Sequence, residues 1–316
     1  MQRIRVVDSH TAGEATRVVV EGSPPLDTGS MAERRRLFEE HFDIFRRSVI
    51  LEPRGTEGMV GALLLTPEDP AAAAGVIFFN NRGCLGMCGH GAMGVVTTLA
   101  HLGRIDAGDH TIETPVGTIT ARLHRDGQVT IENVPARRTA SAIRLEVPGA
   151  GAVCGDVAWG GNWFYITESC PILLKRSSIP ELVDYSTRVW RALAAAGITG
   201  DDGAEIDHVE LTAPPIDPAN SGRNFVLCPG LAWDRSPCGT GTSAHLACLF
   251  ADRRLQEGEP WRQEGILGTV FEATARAVPG GVVPSITGRA HITGEGELLV
   301  SPDDPFAYGI DLAREL

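Results

Sequence analysis

Two short stretches of this chain place a cysteine in the same glycine-rich setting. Met87-Cys88-Gly89-His90-Gly91 and Pro237-Cys238-Gly239-Thr240-Gly241 share the pattern Cys-Gly-x-Gly, and each precedes a run of helix-forming residues. The first turn of a helix leaves about four backbone N–H groups without partners inside the helix and carries a partial positive charge. Such a turn binds carboxylates, and glycine lets a ligand approach its backbone. The motifs therefore predict two thiols, each beside an anion-binding helix start.

Acting together, two such thiols could remove and deliver a proton at one carbon. If one small carboxylate binds both helix starts, Cys88 and Cys238 flank its α-carbon. The residues that would hold the carboxylate follow each cysteine: Gly89, His90, Gly239 and Thr240. Proton removal on one face and delivery on the other inverts the centre without a redox or pyridoxal cofactor. Two adjacent thiolates repel, so we expect the pair to share one proton and to act as one base and one acid.

Other interpretations of the same residues stay open. A lone cysteine at an apolar helix start is by default a small buried side chain, and the pairing of the motifs is what argues against that interpretation. Cys84, Cys88 and His90 could form part of a metal or redox site, although a second tight cysteine pair is absent from the sequence. Neither motif matches the glycine spacing of a dinucleotide site or the lysine of a P-loop.

Two further polar residues are candidates for substrate contacts. Asp234, in Asp234-Arg235-Ser236, puts a carboxylate just before the second cysteine, where it could pair with a substrate ammonium group. It could equally be a turn or helix-capping residue. His208 lies on a predicted strand and could contact the same amine or a ring, although a strand histidine is more often structural. The other five cysteines are predicted to be packing residues: Cys84, Cys154, Cys170, Cys228 and Cys248.

Composition limits the kinds of partner. Of the 316 residues, 43% are hydrophobic and 22% are charged, which is typical of a globular protein. The net charge of -12 argues against binding to nucleic acid or to an anionic membrane. The basic clusters at residues 34–36 and 46–47 are interspersed with acids and predict a solvated helix face. The longest apolar run is too short to span a bilayer, and no secretion signal is evident. Seven cysteines without disulfide spacing fit a reducing cytoplasm.

The pattern of elements predicts two related halves. Strand-like runs alternate with helices predicted at residues 31–47, after Cys88, at about residues 180–196 and after Cys238; Ser30 is a plausible N-cap of the first. The two cysteines are 150 residues apart, close to half the chain. We expect one domain over residues 1–125, with residues 300–316 as a candidate addition to it, and a second over residues 126–299. The boundary itself is expected somewhere in residues 120–150.

These motifs resemble the proline racemase family. The similarity rests on both cysteine motifs, the second extended from Asp234 to Ala244, and it covers nearly the whole chain. Three further stretches match: residues 8–14, 160–164 and 223–230. The last of these, with His208 upstream, resembles the 4-hydroxyproline 2-epimerase branch more than the proline racemases proper. Arg82, Cys84 and Trp233 depart from the expected residues, which bears on ring specificity more than on reaction type.

The resemblance implies an α+β fold like that of diaminopimelate epimerase. In this fold two pseudo-symmetric domains each wrap a β-sheet around a central helix, and the active site is in the cleft between them. It implies no cofactor, Cys88 and Cys238 as the acid-base pair, and a homodimer as the candidate assembly. Substrate contacts are implied for six residues: Gly89, His90, His208, Asp234, Gly239 and Thr240.

The activity expected from this resemblance is epimerisation of trans-4-hydroxy-L-proline to cis-4-hydroxy-D-proline. Proline racemase is the alternative within the same chemistry. The related trans-3-hydroxyproline dehydratases typically have Thr or Ser in place of the second cysteine, so Cys238 favours epimerisation. A thiol redox or metal-binding protein is the alternative from a different class.

Overall fold

The structure of the protein is a computed structural model that describes residues 1–310. Its helices are α1 (Met31–His41), α2 (Asp43–Ile50), α3 (Gly89–His101), α4 (Ile179–Ala195) and α5 (Gly239–Ala251). Its strands are β1 (Gln2–Thr11), β2 (Glu14–Glu21), β3 (Val60–Leu65), β4 (Ala74–Phe79), β5 (Gly108–Thr114), β6 (Gly117–Leu123), β7 (Val129–Glu132), β8 (Arg137–Val147), β9 (Gly151–Trp159), β10 (Trp163–Thr167), β11 (His208–Ala213), β12 (Gly222–Leu227), β13 (Trp261–Glu264), β14 (Val270–Val278), β15 (Gly281–Gly288) and β16 (Ala290–Val300).

The chain divides into two compact units. Unit 1 is Met1–Ile131 with Gly288–Leu316, and unit 2 is Glu132–Thr287, so that the division falls within β7. Residues 311–316 of the C-terminal segment lie outside the described residues. In unit 1 the strands follow the order β16-β1-β2-β3-β4-β5-β6, and in unit 2 the order β8-β9-β10-β11-β12-β13-β14-β15. Unit 1 thus contains β16, which pairs antiparallel with β1 from the other end of the sequence.

The same succession of strand pairings occurs in both units. In unit 1 the pairs from β1/β2 to β5/β6 alternate between antiparallel and parallel. The pairs from β9/β10 to β13/β14 repeat that alternation in unit 2. A parallel pair needs a crossover, and here each crossover contains a helix or helices. The internal repeat predicted from the two cysteine motifs and the mixed α+β fold implied by the family resemblance are therefore confirmed.

A buried helix lies at the centre of each unit. Strands β1, β2, β3, β6 and β16 contact α3, whereas β8, β9, β10 and β14 contact α5. Nearly every residue of both helices is buried, which explains why these segments are apolar on all sides rather than amphipathic. By contrast, α4 is amphipathic and packs its apolar side on β8, β11 and β12. The two cysteine-bearing segments are therefore core elements.

The prediction of a single helix over residues 31–47 is wrong. The chain forms α1 and α2, which meet at Phe42, where φ is -124°. Ser30 caps α1 in a capping box with Glu33, as the sequence predicted. The break lets Phe38 and Phe45 both enter the core of unit 1, with ring centroids 6.2 Å apart.

The arginines of this region are not all on a solvated face. Arg34 and Arg46 are buried, with 4% and 5% exposure. Arg34 donates to the carbonyls of Gly29 and Thr66, at 2.7 and 2.6 Å, and Arg46 donates to the carbonyl of Asn80 at 2.7 Å. The solvated-face prediction is therefore wrong for these two residues, because their guanidinium groups are needed to satisfy buried loop carbonyls.

Two further sequence predictions concern the cysteines and the membrane. Cys154 is exposed, so its prediction as a packing thiol is wrong; Cys248 is buried as expected. Among residues 1–310, no helix is both long enough and apolar enough to cross a membrane.

Candidate active site

Cys88 is the N-cap of the central helix of unit 1. Its backbone is extended, with φ -142° and ψ 111°, and its Sγ accepts a hydrogen bond from the Gly91 N–H at 3.3 Å. The ring nitrogens of His90 lie 3.4 and 3.6 Å from the same sulfur. The thiol thus occupies the position of an N-capping oxygen, where helix N–H groups favour a negative charge.

The packing of this helix start requires glycine. A Cβ on Gly91 would lie 2.9 Å from the Phe78 ring and 3.0 Å from the Cys88 sulfur. Thr11, at the end of β1, donates its hydroxyl proton to the His90 carbonyl at 3.0 Å. Strands of the sheet and the glycine together fix the first turn of α3 around its sulfur.

Cys238 is the N-cap of the central helix of unit 2 and repeats the contact made by Cys88. Its Sγ accepts from the Gly241 N–H at 3.3 Å. The backbone differs, however, since Cys238 has φ 56° and ψ 106°. A positive φ at a residue with a Cβ costs about 1–3 kcal/mol and persists only where the surroundings enforce it. The two motifs share a cap but not a backbone conformation.

A chain of hydrogen bonds enforces the Cys238 conformation. Asp234 Oδ1 accepts from both the backbone N–H and the hydroxyl of Ser236, each at 2.8 Å. The Ser236 Oγ in turn accepts from the Cys238 N–H at 3.2 Å. Asp234 is 5% exposed and Ser236 2% exposed. The turn role that the sequence left open for Asp234 is therefore present, and it places this buried carboxylate two hydrogen bonds from the cysteine.

Thr240 and the following turn are held from the side of the sheet. Asn162 donates to the Thr240 hydroxyl at 3.3 Å, and that hydroxyl lies 3.7 Å from the Cys238 sulfur. Gly160 allows close approach, because a Cβ there would lie 2.2 Å from the Thr240 carbonyl oxygen. The matching stretch at residues 160–164 therefore supports the second cysteine motif directly.

His208 begins β11 and is 4% exposed. Its Nδ1 lies 2.7 Å from Asp207 Oδ1, and its ring stacks on Phe164 with centroids 4.6 Å apart. The Phe164 ring also reaches the start of α5, since a Cβ on Gly241 would lie 3.2 Å from it. A shared aromatic neighbour thus connects His208 to the Cys238 motif. When His208 Nδ1 carries the ring proton, it donates that proton to the Asp207 carboxylate. Nε2 is then an acceptor.

The electrostatic surroundings of Cys238 hold it in the thiol form. Burial raises the pKa of the Cys238 thiol well above its ordinary value, and negative charge on Asp234, Cys228 and Glu210 acts in the same direction. The hydrogen bond from Gly241 opposes this rise. A helix start alone favours thiolate, but here desolvation outweighs it.

The metal-site alternative gains no geometric support. Among residues 1–310, no group of three or more His, Cys, Asp or Glu side chains is arranged to hold a metal ion. Cys84 packs against the apolar cluster of unit 1 instead, and burial raises its pKa to about 12.

Trp233, another residue that departs from those expected for the family, has aromatic and cationic neighbours. Its ring stacks on Phe225, and the Arg235 guanidinium lies 4.2 Å from the centroid of the Trp233 ring.

Sequence reasoning missed several residues that support these motifs. Ser236, Asn162 and Thr11 each lie inside or next to a matching stretch, and the Asp-x-Ser spacing of residues 234–236 is itself a recognisable turn signal. Asn224 also lies inside a matching stretch, residues 223–230. Glu210 gave no signal of its own, because a strand Glu is usually solvent-exposed. Both are fully buried beside the Cys238 motif.

Comparison with known proteins identifies relatives over nearly the full chain. A 4-hydroxyproline 2-epimerase of Xanthomonas campestris pv. campestris is 57% identical over 310 residues, covering 98% of this chain and 99% of that protein. A 4-hydroxyproline 2-epimerase of Pseudomonas aeruginosa is 56% identical over 314 residues, with 98% and 99% covered. Among solved structures, a hydroxyproline epimerase from Agrobacterium vitis with bound trans-4-hydroxy-L-proline superposes with a TM-score of 0.90, at 25% identity, over 98% of this chain and 95% of that one. The family model for proline racemase matches residues 6–311. This chain therefore belongs to the proline racemase family.

Proposed function

We propose that this chain catalyses the reversible epimerisation of trans-4-hydroxy-L-proline to cis-4-hydroxy-D-proline without a cofactor. The observation that carries the proposal is the repeated cap: in each unit a buried cysteine sulfur accepts a 3.3 Å hydrogen bond from the third residue after it, at a glycine-rich helix start. The names of the relatives with 56–57% identity support the choice of substrate.

In the proposed reaction one cysteine removes a proton from the α-carbon and the other cysteine delivers a proton to it. The thiolate of one cysteine takes the α-proton, forming an S–H bond while the C–H electron pair moves toward the substrate carboxylate. The thiol of the other cysteine delivers its proton to the opposite face, and its S–H electron pair remains on sulfur. Because its raised pKa keeps Cys238 protonated, we assign Cys238 as the donor and Cys88 as the base in the resting enzyme. The reverse reaction starts with the opposite protonation.

The helix starts supply the stabilisation that the thiols lack. A free thiol titrates near about 8.5, far below an amino-acid α-proton. The backbone N–H groups of Gly89, His90, Gly239 and Thr240 are proposed to bind the substrate carboxylate and to bind it more tightly as charge accumulates there. Removal of one such donor from an oxyanion site typically costs about 10²–10³-fold in kcat. Several donors acting together could therefore account for much of the rate.

The side chains around Cys238 are proposed to bind the ring. Ser236 engages Oδ1 of Asp234, and we assign Oδ2 to the ring ammonium group, which would place that charge beside the reacting carbon. His208 presents Nε2 as an acceptor when its Nδ1 proton points to Asp207. We assign this acceptor to the substrate hydroxyl group. The ring contacts then distinguish hydroxyproline from proline by one hydrogen bond.

Solvent exchange tests this function. In deuterated water the wild-type protein should replace the α-proton of trans-4-hydroxy-L-proline and should generate the cis-D product, with proline and trans-3-hydroxy-L-proline as comparison substrates. Cys88→Ser and Cys238→Ser should each lower the epimerisation rate by about 10²–10⁴-fold, the usual contribution of a positioned acid or base. Cys248→Ser is the matched control, because Cys248 is a buried thiol further along the same helix.

The controls decide between the alternatives. Cys248→Ser should retain epimerisation, with folding of all variants compared by circular dichroism. If both single serine variants epimerised at the wild-type rate, the two-thiol mechanism would be wrong. Faster turnover of proline than of hydroxyproline would make the protein a proline racemase instead.

A further inference from the structure

A carboxylic acid lies buried beneath the start of α5. Glu210, in the middle of β11, has no exposed surface. Its Oε1 accepts from Asn224 Nδ2 at 2.9 Å, and its Oε2 has no hydrogen-bond partner among the described residues. The same Asn224 nitrogen donates to the Pro237 carbonyl at 2.8 Å. Glu210 is therefore connected through one side chain to the residue that precedes Cys238.

Glu210 also approaches the motif directly. A Cβ on Gly241 would lie 2.6 Å from Glu210 Oε2 and 3.2 Å from the Cys238 sulfur. Because both atoms lie close to this Cβ position, the carboxyl oxygen is within about 6 Å of the sulfur. At such a distance a charge on one group shifts the titration of the other. The glycine whose N–H binds the sulfur thus also leaves room for the acid.

The charged and titratable groups around Glu210 come from several elements. Asp234 on the loop before α5 and Cys228 after β12 act on the same thiol, Cys238. On α5, Cys248 also interacts with Glu210. His208 lies two residues away, on the same side of β11. Burial, and to a smaller extent the charge of Asp234, raise the pKa of Glu210 to about 8, although the Asn224 hydrogen bond opposes this.

We propose that Glu210 is a positioning residue for Cys238: as a neutral acid it holds the Cys238 turn through Asn224, and its ionisation opposes formation of the Cys238 thiolate. The inference rests on the proposed role of Cys238 and extends it with an electrostatic partner that does not touch substrate. At neutral pH the acid is protonated, so the thiol can change its charge during turnover without a second anion beneath it. Above the pKa of Glu210, the Glu210 carboxylate and a Cys238 thiolate would be two negative charges in one apolar site, where they repel each other.

The kinetic consequence is a shift in one limb of the pH profile. Glu210→Gln keeps the size of the side chain and the acceptor for Asn224 but cannot ionise. Without that charge the pKa of Cys238 falls, so the limb of kcat/KM that depends on Cys238 should move to lower pH by about one to two units, the size of a charge interaction at this separation in a protein interior. An unchanged profile would contradict the inference.

Two comparison variants separate charge from structure. Glu113→Gln is the buried control, since Glu113 is 8% exposed and accepts from the backbone N–H groups of Glu68 and Asp69 in unit 1. This variant should lower stability and leave the Cys238 limb in place. Glu210→Leu removes the acceptor as well as the charge, and it should lower kcat by about tenfold or more relative to Glu210→Gln, because small misplacements of a catalytic group are costly. Equal kcat values for these two variants would contradict the positioning role.

A spectroscopic titration makes the test independent of turnover. The ultraviolet absorbance of thiolate, taken as the difference between Cys88→Ser and the Cys88→Ser, Cys238→Ser double variant, follows Cys238, because Cys88 is absent from both proteins. In the Glu210→Gln background this difference titration should move to lower pH by the same amount as the kinetic limb. If the wild-type protein epimerised no amino acid, the proposed function would fail, yet the titration would still decide whether Glu210 controls this thiol.

Discussion

Replacing Glu210 with Gln should stabilise the protein, and it should do so more strongly as pH rises. The pKa of Glu210 is raised from an ordinary 4.5 to about 8 in the folded protein. The folded state therefore binds a proton that the unfolded state releases between these two values. Stability falls with pH over this window, because the folded state binds more protons than the unfolded state. Gln has no proton to take up, so the variant lacks this loss.

The magnitude follows from the two pKa values. One pKa unit corresponds to about 1.36 kcal/mol, so between about pH 5.5 and pH 7.5 the gain of Glu210→Gln over wild type should grow by about 2.5 kcal/mol. Near neutral pH the total gain should be about 3 kcal/mol. The change of side chain itself contributes little, since a protonated carboxyl group and an amide are similar in size and each leaves one buried group without a partner.

Urea unfolding at several pH values measures this effect. Urea is preferable to guanidinium chloride because a salt would screen the charges under study. Glu272→Gln is the control, since Glu272 is an exposed carboxylate in the same unit, paired with Arg262. Its stability difference from wild type should stay constant with pH. A constant difference for Glu210→Gln would refute the conclusion that the folded protein holds Glu210 as a neutral acid.

Three other substitutions test the surroundings of the site and the fold. Gly160→Ala should destabilise by about 1–3 kcal/mol and lower kcat in the epimerisation assay, because its Cβ would lie 2.2 Å from the Thr240 carbonyl; Gly294→Ala, which meets nothing within 4 Å, should change neither quantity. Ser30→Ala should cost about 1 kcal/mol in urea unfolding through loss of the α1 cap, and an unchanged midpoint would rule out a stabilising cap. His208→Phe should raise KM for hydroxyproline by about tenfold through one lost hydrogen bond with little effect on proline; equal effects on both substrates would argue against the hydroxyl contact.

The two cysteine motifs are alike in sequence but not in conformation. Cys88 has a relaxed extended backbone, whereas Cys238 has a positive φ enforced by Asp234 and Ser236. The second thiol is also surrounded by groups that disfavour its charge. In the proposed two-thiol mechanism one of the two sulfurs carries the proton at a time, and this asymmetry is a physical reason to assign the proton of the resting state to Cys238.

Features that depend on neighbours along the chain could be predicted from the sequence. The Cys-Gly-x-Gly pattern predicted a cysteine at each helix start, and both caps form because the sulfur and the N–H that binds it are three residues apart. The same locality explains why the Ser30 cap was predictable. The spacing of the two motifs also indicated an internal repeat, which the strand pairings confirm.

Features that depend on residues far apart in sequence could not be predicted from local patterns. Pairing of β1 with β16 joins opposite ends of the chain, and no local pattern specifies that partner. Arg34 and Arg46 were predicted to be surface charges, yet both are buried because they donate hydrogen bonds to loop carbonyls that are distant in sequence. The protonation of Glu210 likewise depends on how completely the strands and α5 exclude water from it. Burial is a property of the assembled fold, so the electrostatics of the site follow from packing that the motifs themselves do not encode.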